Sequence, residues 1–263
     1  EMVINMENKR MSSKIIAITL LFAACAEPAP TQAIQTETLS TQFTKTPPAT
    51  SEPCIIEGVV LFEGSRPKLR EWTLEQDMVQ ISKVKVLKDE AWIIDENRHV
   101  ANTIVTLIPS QKRQKTNKRP EAEALFEKVA CRYQPRVLVV REGTTVTVGN
   151  RNSPCNGFKF KSVKNPMMNL SIIAGNQSKE RFDRAEVIKV NCDNRPYMDG
   201  FIVVVKTPYF AKTKSDGRFK FAVPPGHYTI KAWHEMVGSI QVKSVKVEAG
   251  DKKLIKINIR AKN

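Results

Sequence analysis

Histidine is nearly absent: the 263 residues include only His99, His227 and His234. The chain holds no His-Glu-x-x-His, no Gly-x-Ser-x-Gly and no Gly-rich phosphate loop. Nothing in it reads as an enzyme active site, and no catalytic residue is expected. Glycine is scarce too, with 11 against 15 prolines, and long helical periodicity is lacking. Acidic residues are outnumbered 27 to 42, for a net charge of +15. Such a field favours anionic partners: nucleic acid, lipid head groups, anionic polysaccharide or an acidic protein. The excess is spread along strands and loops. Its densest run, residues 111–119 (QKRQKTNKR), has no aromatic residue on which a base could stack. A solvated loop is therefore expected there, not a nucleic-acid groove.

Hydrophobic residues, at 41%, suffice for a real core, and the length suits one large or two small domains. Residues 11–26 read MSSKIIAITLLFAACA. Lys14 gives the positive flank, and the apolar run 15–24 is too short to span a bilayer but has the length of a signal-peptide core. Ala23-Ala24-Cys25 resembles a bacterial lipobox, with Phe22 where leucine is usual. The resemblance implies lipidation of Cys25; ordinary cleavage after Ala26 is the alternative. Glu1 is no initiator, and Met6 or Met11 is the expected start. Residues 26–52 are rich in Thr, Pro and Gln and cannot offset their ordering entropy by burial, so a flexible tether is expected. The protein is thus expected to be exported, as a bacterial lipoprotein of the periplasm or outer membrane held by a lipid anchor. Four cysteines remain: Cys54, Cys131, Cys155 and Cys192. An even count in an oxidising compartment makes disulfides possible, in any of three connectivities.

The rest reads as short strands. Residues 55–62 form a β-rich run, and 91–94 with 100–107 flank a polar turn, as a hairpin would. Strands are expected at 137–141, 144–148, 186–190, 201–206, 219–223, 227–233, 240–247 and 253–259, and one short helix at 121–129. Regular turn signals between short strands predict an all-β sandwich architecture.

Two resemblances refine this. Thr213-x-x-Asp216-Gly217-x-Phe219, followed by Pro224-Pro225-Gly226-x-Tyr228, resembles the carboxypeptidase-regulatory or transthyretin-like repeat. Such modules are accessory, so it implies no catalysis. Residues 131–150 (CRYQPRVLVVREGTTVTVGN) resemble the opening of a cupredoxin, and 192–198 (CDNRPYM) resembles its Cys-x-x-His-x-x-Met loop. Together the two resemble bacterial exported cupredoxin-like proteins of the methylamine-utilisation type. This implies a cupredoxin-like Greek-key β-sandwich at 53–204 and a small transthyretin-like (Ig-like) β-sandwich at 205–263, behind a signal (1–25) and a tether (26–52). Residues 55–62 could belong to either sandwich.

A blue-copper site needs a thiolate, two imidazoles and a weak axial thioether. Here Arg195 stands where the loop histidine belongs, Cys155 or Asn156 takes the remote histidine's place, and Arg136 replaces a third. Arginine is charged and donor-only, so it cannot ligate a metal. No cofactor is expected; the alternative is a soft copper site of Cys155, Cys192 and Met198. The resemblance also implies that the loops of Cys155 and Cys192 converge, so a disulfide between these two is expected, leaving Cys54 and Cys131 as a second pair. His234-Glu235 is read as structural, His227 as an exposed turn residue and His99 as a hairpin residue. Asp193 is read as a turn former bonding backbone amides. Met167 and Met168 should face opposite ways, one into the core. The expected function is a non-catalytic binding or structural role in the cell envelope, with copper-based electron transfer or copper handling as the alternative.

Overall fold

The computed structural model describes residues 52–111 and 123–261. The expected signal, Cys25, nearly all of the tether and the basic run beyond Gln111 lie outside the described residues. The chain opens with β1 (Cys54–Phe62), β2 (Glu71–Thr73), α1 (Gln76–Ser82), β3 (Val86–Lys88) and β4 (Ile104–Pro109). A middle run follows: β5 (Ala124–Val129), β6 (Arg132–Gln134), β7 (Val137–Arg141), β8 (Thr144–Asn150), β9 (Gly157–Lys161), β10 (Met168–Ser171), β11 (Gln177–Phe182), β12 (Val187–Cys192) and β13 (Arg195–Val205). The chain ends with β14 (Phe210–Lys212), β15 (Arg218–Val223), β16 (Gly226–His234), β17 (Gly238–Val247) and β18 (Lys252–Ile259).

The middle run builds one sandwich from two sheets, of order β11-β8-β5-β6 and β10-β9-β12-β13-β7. Each sheet contains a parallel pair, β5 with β8 and β13 with β7, among antiparallel neighbours. The strands switch between sheets in the Greek-key manner of a cupredoxin-like fold. Phe126, Tyr133, Val146, Val148, Phe158, Phe160, Ile188 and Ile202 fill its core.

The first and last runs of strands build a second sandwich together. Its sheets are β15-β1-β18 and β14-β4-β16-β17. Strand β1 lies between β15 and β18, antiparallel to one and parallel to the other. Strand β4 pairs with β16 and β14. The division expected at residue 204/205 therefore does not follow the sheets: residues 54–62 and 104–109 pair with strands more than a hundred residues later. The cupredoxin-like sandwich is inserted between them. A run such as IIEGVVLF specifies a strand but not its neighbours, so membership waits on the tertiary packing.

A third apolar cluster joins the two sandwiches. On β13, Ile202 and Val204 face the inserted core, while Phe201, Val203 and Val205 meet Ile104 of β4 and Trp233 of β16. Burial on both faces explains why β13 reads as a continuous apolar run without alternation. Close approach matters at Gly58 in β1, where a Cβ would lie 1.9 Å from the Ile255 carbonyl oxygen of β18.

The helix expected at residues 121–129 is not formed; 124–129 are strand β5. Its parallel pairing with β8 and the burial of Phe126 and Lys128 on one face override the local helical preference. The hairpin expected at 91–94 and 100–107 reduces to a single bridge, Ile94 to Val100, before β4. Helix α1, unforeseen from the sequence, is short and ends at Lys83, whose φ is +62°.

Candidate functional site: a covalently closed loop pair

The site is built by two loops at one end of the inserted sandwich. The first leaves β8 at Asn150, whose buried side chain organises it. Its Nδ2 donates to the carbonyls of Ser153 (3.0 Å) and Ile172 (2.8 Å), and its Oδ1 accepts from the Ser153 amide (2.8 Å). The second loop leaves β12 at Cys192 and returns into β13 through Asp193 and Asn194, with a register shift at Asn191/Cys192. The expected bridge is present: Cys155 and Cys192 form a disulfide, with Cα atoms 6.9 Å apart. Cys192 is buried and Cys155 half-buried. Both line an open cleft of about 360 Å³ with Pro154, Asn156, Asp193 and Arg195.

The second expected pair does not form: Cys54 and Cys131 are both free and buried. Cys54 belongs to the core of the second sandwich and Cys131 to that of the inserted one, so the two lie in different cores.

Around the bridge the charges are committed. Arg195 turns to α1, where it meets Asp77 at 2.9 Å and Glu75 at 3.4 Å, and Tyr197 donates to the same Glu75 at 2.9 Å. The Asp193 carboxylate lies 3.3 Å from Lys159 Nζ, so it makes an ion pair instead of the expected bonds to turn amides. Met198 is fully buried in the inserted core. Beneath the loop sits Lys128, which sequence reasoning missed. It is fully buried, with Nζ 3.1 Å from the Cys155 carbonyl, 3.4 Å from Cys155 Sγ and 4.1 Å from the centre of the Phe158 ring. It also donates to the Gly157 carbonyl. Among the described residues no carboxylate pairs with it. Burial pushes its pKa down to about 7. The missed signal was alternation: once 124–129 is a strand, Lys128 shares the core face of Phe126.

The positions of Arg136 and Glu235, 99 residues apart, prove to be one unit. The guanidinium of Arg136 grips Glu235 through two bonds, at 2.8 and 2.7 Å, and reaches Asp199 at 2.9 Å. Burial opposes the charge on Arg136, but Glu235, Asp199 and Asp89 outweigh it and hold its pKa above the usual arginine value. Next to Glu235, His234 is buried and stacks on Trp92, ring centroids 4.4 Å apart. Burial, helped by Arg136, pushes its pKa down to about 4. His99 pairs with Asp95 at 2.8 Å, and His227 is exposed at the start of β16. Met167 is exposed while Met168 packs against the core.

These residues do not fit a copper centre. The two cysteine sulfurs are bonded to each other, Met198 is core, and an ammonium and a guanidinium flank the place where a cation would sit. No cluster of three His, Cys, Asp or Glu side chains suited to a metal occurs among the described residues.

Sheet order and the placement of the two loops define a cupredoxin-like domain. No family model and no curated protein matches the chain. Among solved structures, a purple cupredoxin from Nitrosopumilus maritimus is 22% identical, covering 32% of this chain and all of that one, with a TM-score of 0.28. A reduced amicyanin variant is 18% identical over 38% of this chain and 99% of its own, with a TM-score of 0.29. A copper-containing nitrite reductase from Thermus scotoductus SA-01 is 20% identical over 38% of this chain and 26% of its own, with a TM-score of 0.31.

Proposed function

We propose that the protein is a non-catalytic binding or structural protein of the bacterial cell envelope, whose cupredoxin-like domain has exchanged its copper ligands for a covalent cross-link. The observation that carries this reading is the Cys155–Cys192 disulfide at the convergence of the two loops. A bridge there holds the loops as a metal would, with stabilisation typically about 2–4 kcal/mol. Disulfides also persist in oxidising compartments, in keeping with export. The N-terminal lipobox-like stretch supports anchoring through Cys25, and the Ser215-Asp216-Gly217 turn with Pro224-Pro225-Gly226 supports an accessory module of carboxypeptidase-regulatory type. The net charge of +15 suits an anionic envelope partner.

The test has two parts. Expressed with its native leader, the protein should sediment with membranes, and Cys25→Ser should release it; wild-type protein recovered in the soluble periplasmic fraction refutes the anchor. Addition of Cu(II) to purified protein should give no intense thiolate-to-copper band, and Arg195→His alone should not create one, because the remote imidazole is still missing. A strong visible band from unmodified protein refutes the loss of the copper site.

A further inference from the structure

A purely structural bridge needs no cation beside it and is best buried. This one has both an ammonium at one sulfur and an open cleft over it. Lys128 Nζ lies 3.4 Å from Cys155 Sγ, and its other contacts among the described residues are the carbonyls of Cys155 and Gly157 and the faces of Phe158 and Tyr133. All are neutral groups. A buried lysine without a carboxylate partner is costly to keep, and replacement by an apolar side chain would relieve that cost. The geometry has one further consequence: an anion formed at Cys155 Sγ would complete an ion pair inside the protein. Thiolates beside a lysine are depressed in pKa and react faster at neutral pH.

The two sulfurs are also unequal. Both line the cleft of about 360 Å³, but Cys192 is buried at the end of β12, whereas Cys155 is only half-buried. The loop that carries Cys155 does not depend on the bridge for its shape. Asn150 holds it through Ser153 and Ile172, and the Ser153 hydroxyl accepts from the Cys155 amide at 3.3 Å. Opening the bridge therefore leaves both sulfurs in place, ready to close again.

We propose that Cys155–Cys192 is a thiol–disulfide exchange site, with Cys155 as the reacting sulfur, Cys192 as its resolving partner and Lys128 as the residue that positions and holds the Cys155 thiolate. This goes beyond the structural reading above, which asks only that the bridge exist. The co-reactant is a dithiol, such as a protein with a Cys-x-x-Cys motif. Its thiolate attacks Cys155 Sγ, and the Cys155–Cys192 bond breaks. The electron pair leaves on Cys192, which takes a proton from water. The second thiol of the reductant, deprotonated, then attacks its own sulfur in the mixed disulfide and expels Cys155 as a thiolate beside Lys128. Two electrons have passed from the dithiol, now a disulfide, to the protein's cysteine pair. The reverse sequence transfers the oxidation outward.

The test uses the folded protein, checked by circular dichroism. Dithiothreitol should open the bridge without unfolding, as shown by maleimide labelling of both cysteines and by unchanged circular dichroism. In Cys192→Ser, Cys155 should react with iodoacetamide at neutral pH on the order of tenfold faster than Cys192 does in Cys155→Ser. Adding Lys128→Met to Cys192→Ser should slow Cys155 by a similar factor, a change that a merely structural lysine would not produce if the thermal midpoint is matched. Should the Lys128 variant fail to fold, the comparison of Cys192→Ser with Cys155→Ser, with the alkylated cysteine identified by peptide mapping, still decides. A bridge that resists dithiothreitol until the protein unfolds, or equal reactivity of the two cysteines, overturns the proposal. The copper and membrane tests above are untouched by either result, so the two readings fail separately.

Discussion

Removing Arg136 should expose the energetic role of the clasp between the two sandwiches. In Arg136→Met, Asp199 keeps Lys189 at 2.9 Å, but Glu235, with its side chain only 3% exposed, loses both of its hydrogen bonds to the guanidinium. Breaking a buried pair in this way typically costs about 3–5 kcal/mol. An independent limit comes from protonation. Glu235 can shed its charge by taking a proton, which at pH 7 costs about 1.4 kcal/mol for each pH unit above its ordinary pKa of 4.5, roughly 3.4 kcal/mol in all. The two figures agree on about 3–4 kcal/mol, equivalent to a drop in midpoint of roughly 10 °C for a structure of this size. The sign of the pH dependence follows. In the variant, burial without Arg136 raises the folded pKa of Glu235 above its unfolded value, so stability is regained as the pH falls toward 4.5. The penalty at pH 5 should be about 1 kcal/mol. Urea unfolding followed by tryptophan fluorescence at the two pH values measures this. The double variant Arg136→Met/Glu235→Leu should recover most of the loss, since an apolar replacement of a buried pair is often near neutral. A loss at pH 7 below about 1 kcal/mol, or one independent of pH, would refute the reasoning.

Two other outcomes follow from tightly packed groups. His234 has its folded pKa pushed down to about 4 from the ordinary histidine value of 6.5, so the unfolded chain binds the extra proton between those values. Its contribution is intact above 6.5 and is lost as the pH falls to about 4, by at most about 3 kcal/mol. His234→Phe, which can keep the stack on Trp92, should flatten the stability profile in that window; an unchanged slope tells against it. Gly58→Ala would force a Cβ to within 1.9 Å of the Ile255 carbonyl oxygen and 2.7 Å of Phe219. Both are neighbours of β1 in its sheet, so the variant should lose about 3 kcal/mol or more in urea unfolding, and a loss under about 1 kcal/mol would show that β1 and β18 can separate.

The sequence by itself determined the all-β class and the position of most strands in the later two-thirds of the chain. Alternation marks β15 and the first part of β16 because a strand with one buried face repeats every two residues. It also brought Cys155 and Cys192 together, through the resemblance of their loops to a cupredoxin's, and the bridge is there. What only the tertiary structure decided is partnership. Strand β1 belongs beside β15 and β18, and β4 beside β16, because the inserted sandwich returns the chain to its start. Residues 124–129 are locally compatible with a helix, and pairing with β8 makes them a strand, which in turn buries Lys128 beneath Cys155. Arg136 and Glu235 were both visible in the sequence, one as a histidine replaced and one as the end of a strand. No local pattern could join residues 99 positions apart. Periodicity reports which face of an element is apolar; the charge that a buried side chain meets is set by whichever distant segment packs against it.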